Sequence, residues 1–377
     1  MSKHVLLVEP KYHTRFPPLA LLKLSTYHKM RGDTTELIRW SKGEKYPKAT
    51  PDLIYVTSLY TWEWRQVHET VRYYKIWFQN VPVWLGGLYP SLKPEDAQLS
   101  GADQVYKGLF EDAEDLLPDY DLVPEWDGSI VFSSRGCPHK CGYCAVWRLE
   151  GDISHMKYSI KPLIWPGHEK KEGCCDKKHH TRVIFFDNNI LASPGWKSIF
   201  EELIEMGLKV DFNQGLDARL VTDKVAEKIS KMKLDSFVRL AYDYRAMGPY
   251  VEKAIERLHA YGIGKRKIMV YALFNYTDTP EDFLERVRDI LHWGAVCYPM
   301  RYTPIYASDK NKYIGAKWDP KRVDMVQKAR RVIGGVRRVG AGGSFTPFQA
   351  LIDKFDKANG FDEAFALRPP RKRRKTK

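Results

Sequence analysis

The sequence predicts an α/β protein: an N-terminal Rossmann-like, doubly wound parallel sheet, a partial (β/α)6 barrel, and a small C-terminal helical extension. Three observations predict it. Short apolar runs alternate with amphipathic helical stretches from residue 4 to about 306, the rhythm of parallel sheets covered by helices. The rhythm breaks at residues 112–128, an acidic stretch with two prolines, which divides it into two units. Beyond residue 311 the strands stop and the chain turns helical and basic. The expected divisions are 1–115, a linker at 116–128, 129–306 and 307–377.

In the first unit, His4–Val8 is a strand that ends at Glu9-Pro10. Leu19–Met30 has apolar residues at helical spacing and stops before Gly32. Strands follow at Thr35–Ile38, Asp52–Thr57, Pro82–Leu85 and Ala102–Tyr106, with helices near Glu63–Phe78 and Pro94–Leu99. Doubly wound sheets bind ligands at the carboxyl ends of their strands. Here those ends are Glu9–Pro17, Thr57–Thr61, Gly86–Tyr89 and Lys107–Glu111. The acidic stretch either lies against basic surface or is a solvated connector.

In the second unit, strands are expected at Ser129–Ser133, Arg182–Phe186, Val210–Asn213, Phe237–Tyr242, Lys267–Phe274 and Val296–Arg301. Helices fall at Lys197–Met206, Asp223–Met232, Val251–Tyr261 and Pro280–Trp293. The last is opened by Asp278-Thr279-Pro280, a sound helix start. Residues 162–180 break the rhythm as an insertion holding Cys174, Cys175, His179 and His180, a set that would make a zinc site only with difficulty, because vicinal cysteines chelate one ion poorly. In barrels the chemistry sits at the carboxyl ends of the strands.

Composition sets the outer limits. The chain has 377 residues, 44% of them hydrophobic, enough for two cores. No run of about 18 apolar residues is present, and the N-terminus lacks a secretory apolar core, so a cytoplasmic protein with no membrane partner is expected. The net charge is +14. Seven basic residues and no acid fill Arg368–Lys377, either a solvated tail or a phosphate-binding arm for nucleic acid. Six cysteines, three of them bunched, are not a disulfide framework; clustered thiols in a reducing compartment point to metal or redox chemistry.

The bunched three are Cys137-Pro-His-Lys-Cys141-Gly-Tyr-Cys144, spaced C-x3-C-x2-C directly after the first strand of the second unit. Three thiolates suit zinc or an iron–sulfur cluster. His139 is too close in sequence to complete a zinc tetrahedron easily. Three cysteines on a four-iron cube leave one iron open.

This loop, in the context Ser133-Ser-Arg-Gly-Cys137, resembles the signature of the radical S-adenosylmethionine (SAM) superfamily. The resemblance covers roughly residues 129–306. It implies that Cys137, Cys141 and Cys144 ligate three irons of a [4Fe–4S] cluster, and that SAM chelates the fourth. Tyr143 would pack against the adenine. A reduced cluster would then cleave SAM to a 5′-deoxyadenosyl radical that abstracts hydrogen from an unidentified substrate. The electron would come from an external donor such as flavodoxin or ferredoxin. Where the family has a Gly-Gly-Glu segment for the SAM amino group, this chain has Phe186-Asp187-Asn188-Asn189, making Asp187 and Asn189 candidates. Arg219 could hold the SAM carboxylate or form a salt bridge, and Arg239 and Asp243 flank a later strand. Residues 271–278 fall where the family places backbone contacts to adenine, and Arg301 follows the last strand.

The first unit is similar to the cobalamin-binding domain of cobalamin-type radical SAM enzymes, through its Pro17-Pro18-Leu-Ala-Leu-Leu22 helix entry, Gly86-Gly87 and Lys107-Gly-Leu-Phe-Glu111. That resemblance implies methyl transfer to an unreactive carbon where cobalamin binds, and another radical rearrangement or hydrogen abstraction where it does not. Two departures, Gly-Leu-Phe-Glu for Gly-Glu-Gly-Glu and bulky Leu88 and Tyr89 after the glycines, leave an inherited fold without the cofactor as the other reading. Another class altogether is a nucleic-acid-binding Fe–S or zinc protein whose cysteines are structural.

Overall fold

The structure, a computed structural model, describes residues 2–12, 14–168, 177–334 and 348–367. Its first sheet contains β1 (His4–Glu9), β2 (Thr34–Arg39), β3 (Leu53–Ser58), β4 (Val83–Gly87) and β5 (Gln104–Val105), all parallel, in the order β2-β1-β3-β4-β5. All six residues of β3 are buried, as are five of the six in β1. That is the pattern of a parallel strand covered by helices on both faces. The order reverses between β1 and β3, which places the ligand-binding edge of such a sheet there. Gly87 has φ +109°, and a Cβ there would stand 2.1 Å from the Ser58 carbonyl oxygen. The close approach of β3 and β4 therefore requires this glycine.

The second unit starts with β6 (Gly128–Val131). A two-residue antiparallel ribbon follows, β7 (Gly167–His168) with β8 (Lys177–Lys178). The remaining strands are β9 (Arg182–Phe185), β10 (Lys209–Phe212), β11 (Lys233–Leu234), β12 (Val238–Ala241), β13 (Ile268–Phe274) and β14 (Val296–Arg301). They form two parallel sheets, β11-β10-β9-β6 and β12-β13-β14. The six long strands thus run in chain order around a partial barrel. Between β10 and β12 the ladder is open, and the gap is bridged by Leu216 N–H donating to Arg239 O at 2.8 Å. The Arg239 side chain adds bonds to Asp211 and to Phe212 O.

Alternation along the strands separates two faces. Val183, Phe185, Val210, Phe212, Val238, Leu240, Val270, Ala272, Phe274 and Cys297 pack outward into the main core with the surrounding helices. The opposite parity, Ile130, Ile184, Asp211, Arg239, Met269 and Val296, is buried facing inward. Inward residues open to solvent toward the carboxyl ends: Val296 is 0% exposed and Met300 39%. The helix Pro320–Ile333 lies along β14 and buries Val323, Val326, Ala329 and Ile333 in the main core.

The expected strands sit within two residues of the observed ones at either end. The two-residue strands β7, β8 and β11 are additional, being too short to show any alternation. The acidic stretch lies against basic surface. Asp119 accepts from Lys29 and Ser25, Glu125 pairs with Lys42, and Asp127 pairs with Arg182. Of the insertion's four candidate ligands, Cys174 and Cys175 lie outside the described residues. His180 packs edge-on to Tyr120 and tilted against Trp165, with Nδ1 3.0 Å from Ser129 Oγ. The basic tail from residue 368 also lies outside the described residues. No helix among the described residues is long and apolar enough to cross a membrane.

Candidate active site

The loop after β6 carries the three bunched cysteines, and its entry is tightly held. Asp187, at the carboxyl end of β9, accepts from the backbone N–H groups of Ser133 (3.0 Å) and Ser134 (2.7 Å) and from both hydroxyls. Its carboxylate is 2% exposed and is committed to the loop entry. Burial pushes it above the usual carboxylate range against those four bonds. Arg135 forms a two-pronged bond to Glu114 at 2.7 and 2.9 Å and lies over the Phe132 ring. Gly136 has φ +75°, and a Cβ there would meet Asp152 O at 2.1 Å. This chain crossing admits only glycine. Cys137 N–H donates to Gly151 O, and Cys144 N–H to Cys141 O.

Cys137, Cys141 and Cys144 are free and partly exposed. Cys297 is fully buried in the outer core, where burial pushes its thiol up to about 12. It is a packing residue. Burial also pushes the Cys144 thiol up, so a thiolate at that position calls for a bound cation. Among the described residues no group of three or more His, Cys, Asp and Glu converges on a site for a single metal ion.

Around the thiols the strand ends supply a polar lattice centred on Asp217, in the turn after β10. Its oxygens accept from Arg219 Nε (2.8 Å) and Nη2 (2.9 Å) and from Asn189 Nδ2 (3.0 Å), and lie 2.9 Å from His139 Nε2. Burial opposes ionisation of Asp217, but the bonds from Arg219 and Asn189 outweigh it and hold the carboxyl below its usual range. Asn189 is 4% exposed. Its Nδ2 also stands 3.8 Å from Cys137 Sγ, while its Oδ1 is buried with no donor. Asn189 thus touches the thiol loop and presents one unsatisfied acceptor beside it.

On the other side, Tyr143 donates to Asp243 Oδ2 at 2.6 Å. Burial, and then the Asp243 charge, raise the phenol's pKa. The Tyr143 ring meets Tyr276 edge-on at 5.7 Å, and Tyr276 meets Tyr302 at 4.5 Å. A Cβ at Gly142 would lie 2.5 Å from the Tyr276 hydroxyl, so the loop and the turn after β13 are in direct contact.

The structure therefore gathers Tyr143, Asn189 and Arg219 around Cys137, Cys141 and Cys144. Arg239 stands lower, in the body of β12, where its charge is balanced by buried Asp211. Arg301 donates to Tyr313 O and Gln327, away from the thiols. Sequence reasoning missed Asp217, the hub of the lattice. It also missed Arg286, which is 0% exposed and binds Tyr242 O, Leu273 O and Asp278. Asp217 had a detectable signal, an acid two residues after the glycine that ends a strand. Arg286 had none, because a charged residue in an amphipathic helix ordinarily faces water.

No protein-family model matches the chain, and no curated protein matches it. Among solved structures it is similar to the radical S-adenosylmethionine methyltransferase TsrM from Kitasatospora setae, determined with tryptophan substrate and a SAM analogue bound. The match has a TM-score of 0.58 and 14% identity over 81% of this chain and 75% of that one. At that identity the likeness establishes a shared fold.

Proposed function

We propose that the protein is a radical SAM enzyme in which Cys137, Cys141 and Cys144 hold a [4Fe–4S] cluster whose fourth iron is left for SAM. The observation that carries this is Asn189. A buried acceptor with no donor lies on the same amide that contacts the Cys137 thiol, and the amino group of SAM is a donor of the right kind. Three soft thiols on one loop suit iron–sulfur ligation. When bound, the cluster and SAM supply the reducing electron and the 5′-deoxyadenosyl radical.

The chain's own residues do the positioning. Asp187, Gly136 and the Arg135–Glu114 pair fix where the thiol loop leaves β6. Asp217 holds the Asn189 amide in one orientation and keeps Arg219 extended at the rim, where a SAM carboxylate would find a cation. Asp243 fixes the Tyr143 ring, which offers its face to adenine. Tyr276 and Tyr302 narrow the mouth and limit water. An external electron donor of the flavodoxin or ferredoxin kind is part of this reading, as is a cytoplasmic setting. The test is anaerobic reduction with SAM. Wild-type protein should release 5′-deoxyadenosine and Cys141→Ala none; a wild type that carries cluster but releases none would refute the reading.

A second reading, cobalamin-dependent methyl transfer, is favoured by one observation at the carboxyl edge of the first sheet. Tyr12 Oη and Trp62 Nε1 are both buried there without partners. Tyr12 is 5% exposed and lies near Glu9, Glu63, Arg39 and Tyr60. Trp62 stacks on Tyr60 at 4.6 Å. Two orphaned donors at a doubly wound sheet's binding edge suit a large polar ligand. Tyr89 is buried and turned inward, its hydroxyl 2.8 Å from His68, while Leu88 stays exposed after the glycines. Incubation with hydroxocobalamin followed by gel filtration should leave corrin absorbance with the wild type and less with Tyr12→Phe. Corrin-free wild-type protein would exclude this subtype and leave other hydrogen-abstraction chemistry.

A further inference from the structure

Among the described residues, Arg239 and Arg330 stand toward the barrel interior, and they differ in how their charge is met. Arg239 is paired with Asp211 and donates to Phe212 O and Ser236 Oγ. Arg330, in the last turn of the helix Pro320–Ile333, is partly buried and lies over the Tyr298 ring at 4.2 Å. Its guanidinium makes no hydrogen bond or ion pair to any described residue. Tyr298 is the cross-strand partner of Tyr271, and the two rings stand 5.4 Å apart. Both share the inward parity of Met269 and Val296, one layer below the mouth. The helix C-terminus and the aromatic ring each favour a cation here. Neither holds the fork in this structure: no described carbonyl of the helix end accepts from its five N–H donors. A partly buried cation without a counter-charge is costly, and burial holds this guanidinium below its ordinary range.

We infer that Arg330, on the Tyr271–Tyr298 face, binds an anionic group of the substrate, a phosphate or a carboxylate, in the barrel interior beneath the thiol loop. This rests on the radical SAM reading only for calling the ligand a substrate; the anion site stands on the geometry alone. A guanidinium fork recognises either oxyanion through paired hydrogen bonds. With Arg239 already neutralised below it, Arg330 is, among the described residues, a cation left for an incoming anion to meet. Substrates of this enzyme would then carry an acidic group that stays fixed while a carbon nearer the loop reacts.

The test is calorimetric titration of full-length protein with inorganic phosphate and, separately, with acetate. It is run on the cluster-reconstituted wild type and on Cys141→Ala, without SAM. Saturable binding of at least one anion is expected in both proteins, weakened about tenfold or more in Arg330→Gln. Exposed Arg331→Gln makes the same charge change and should leave binding unaltered. The tighter anion identifies the source as phosphate or carboxylate. Absence of saturable binding, wild-type affinity in Arg330→Gln, or equal loss in Arg331→Gln would overturn the inference. Should Arg330→Gln lose its wild-type circular dichroism, Arg330→Lys carries the test. It keeps the charge without the fork and should bind several-fold more weakly; wild-type affinity there would refute the fork. Failure of the radical SAM reading would show instead as absent 5′-deoxyadenosine with anion binding intact.

Discussion

The first sheet and the barrel present their carboxyl edges in very different chemical dress. The barrel edge carries free thiols, a carboxylate hub at Asp217 and a Tyr143–Asp243 bond. Its deeper charges are buried and compensated, as in Arg286 with Asp278. The edge of the first sheet carries an aromatic pair, Tyr60 and Trp62, and one ion pair, Glu9 with Arg39. It is linked to the barrel by Phe16, whose ring meets Phe186 at 4.9 Å, and to the segment after β14 by buried Thr61, which donates to Ala307 O at 2.7 Å, by Lys93 donating to Ser308, and by exposed Arg65 paired with Asp309. The same topology thus yields a partly exposed, polar, cross-braced thiol site at one edge and an aromatic edge with buried, unpartnered donors at the other. Topology says where a ligand goes; side chains say which chemistry awaits it.

Substitutions can break this contrast, beginning with the largest effect. Arg286→Met should cost about 3–5 kcal/mol in denaturant unfolding, since it leaves Asp278 buried without its cation. A loss under 1 kcal/mol would mean the barrel edge is not braced by buried charge. Glu114→Gln should cost about 2–3 kcal/mol at neutral pH by halving a two-pronged buried bond to Arg135. Its pH dependence has a definite sign. Burial raises the Glu114 carboxyl, but Arg135 and then Lys23 outweigh it, so the folded value is below the unfolded one. The stabilisation is complete above the unfolded value and lost as pH falls through the folded one. The Tm of wild type should therefore fall more on acidification than that of Glu114→Gln, so that the gap between the two narrows as pH falls.

Asp217→Ala should lower cluster retention or SAM affinity by about 10–100-fold, measured as iron content and equilibrium binding, with little change in the melt. Thr61→Val sits at the other extreme. It should cost only about 1 kcal/mol and leave iron content untouched. A fall in iron on changing Thr61 would show that the two edges act as one site.

Much of this organisation was legible in the chain. The strand–helix rhythm locates ten of the long strands because each alternates or runs apolar for four or more residues. The thiol loop is visible through spacing alone. What escaped detection depends on distance in three dimensions. Asp187 looks like a ligand in sequence, yet in the fold its oxygens meet Ser133 and Ser134 across 54 and 53 positions. Arg239 looks like a site residue, yet Asp211 on another strand neutralises it. Arg330 sits in a helix with ordinary basic patterning, and only the packing of that helix along β14 sets it over Tyr298.

The central claim, an iron–sulfur cluster with one iron open to SAM, is tested most directly by electron paramagnetic resonance of the dithionite-reduced protein with and without SAM. The account predicts a cluster signal whose g-values and line shape change on adding SAM, with no cluster signal in Cys141→Ala. A cluster signal indifferent to saturating SAM, or one that survives in Cys141→Ala, would contradict it.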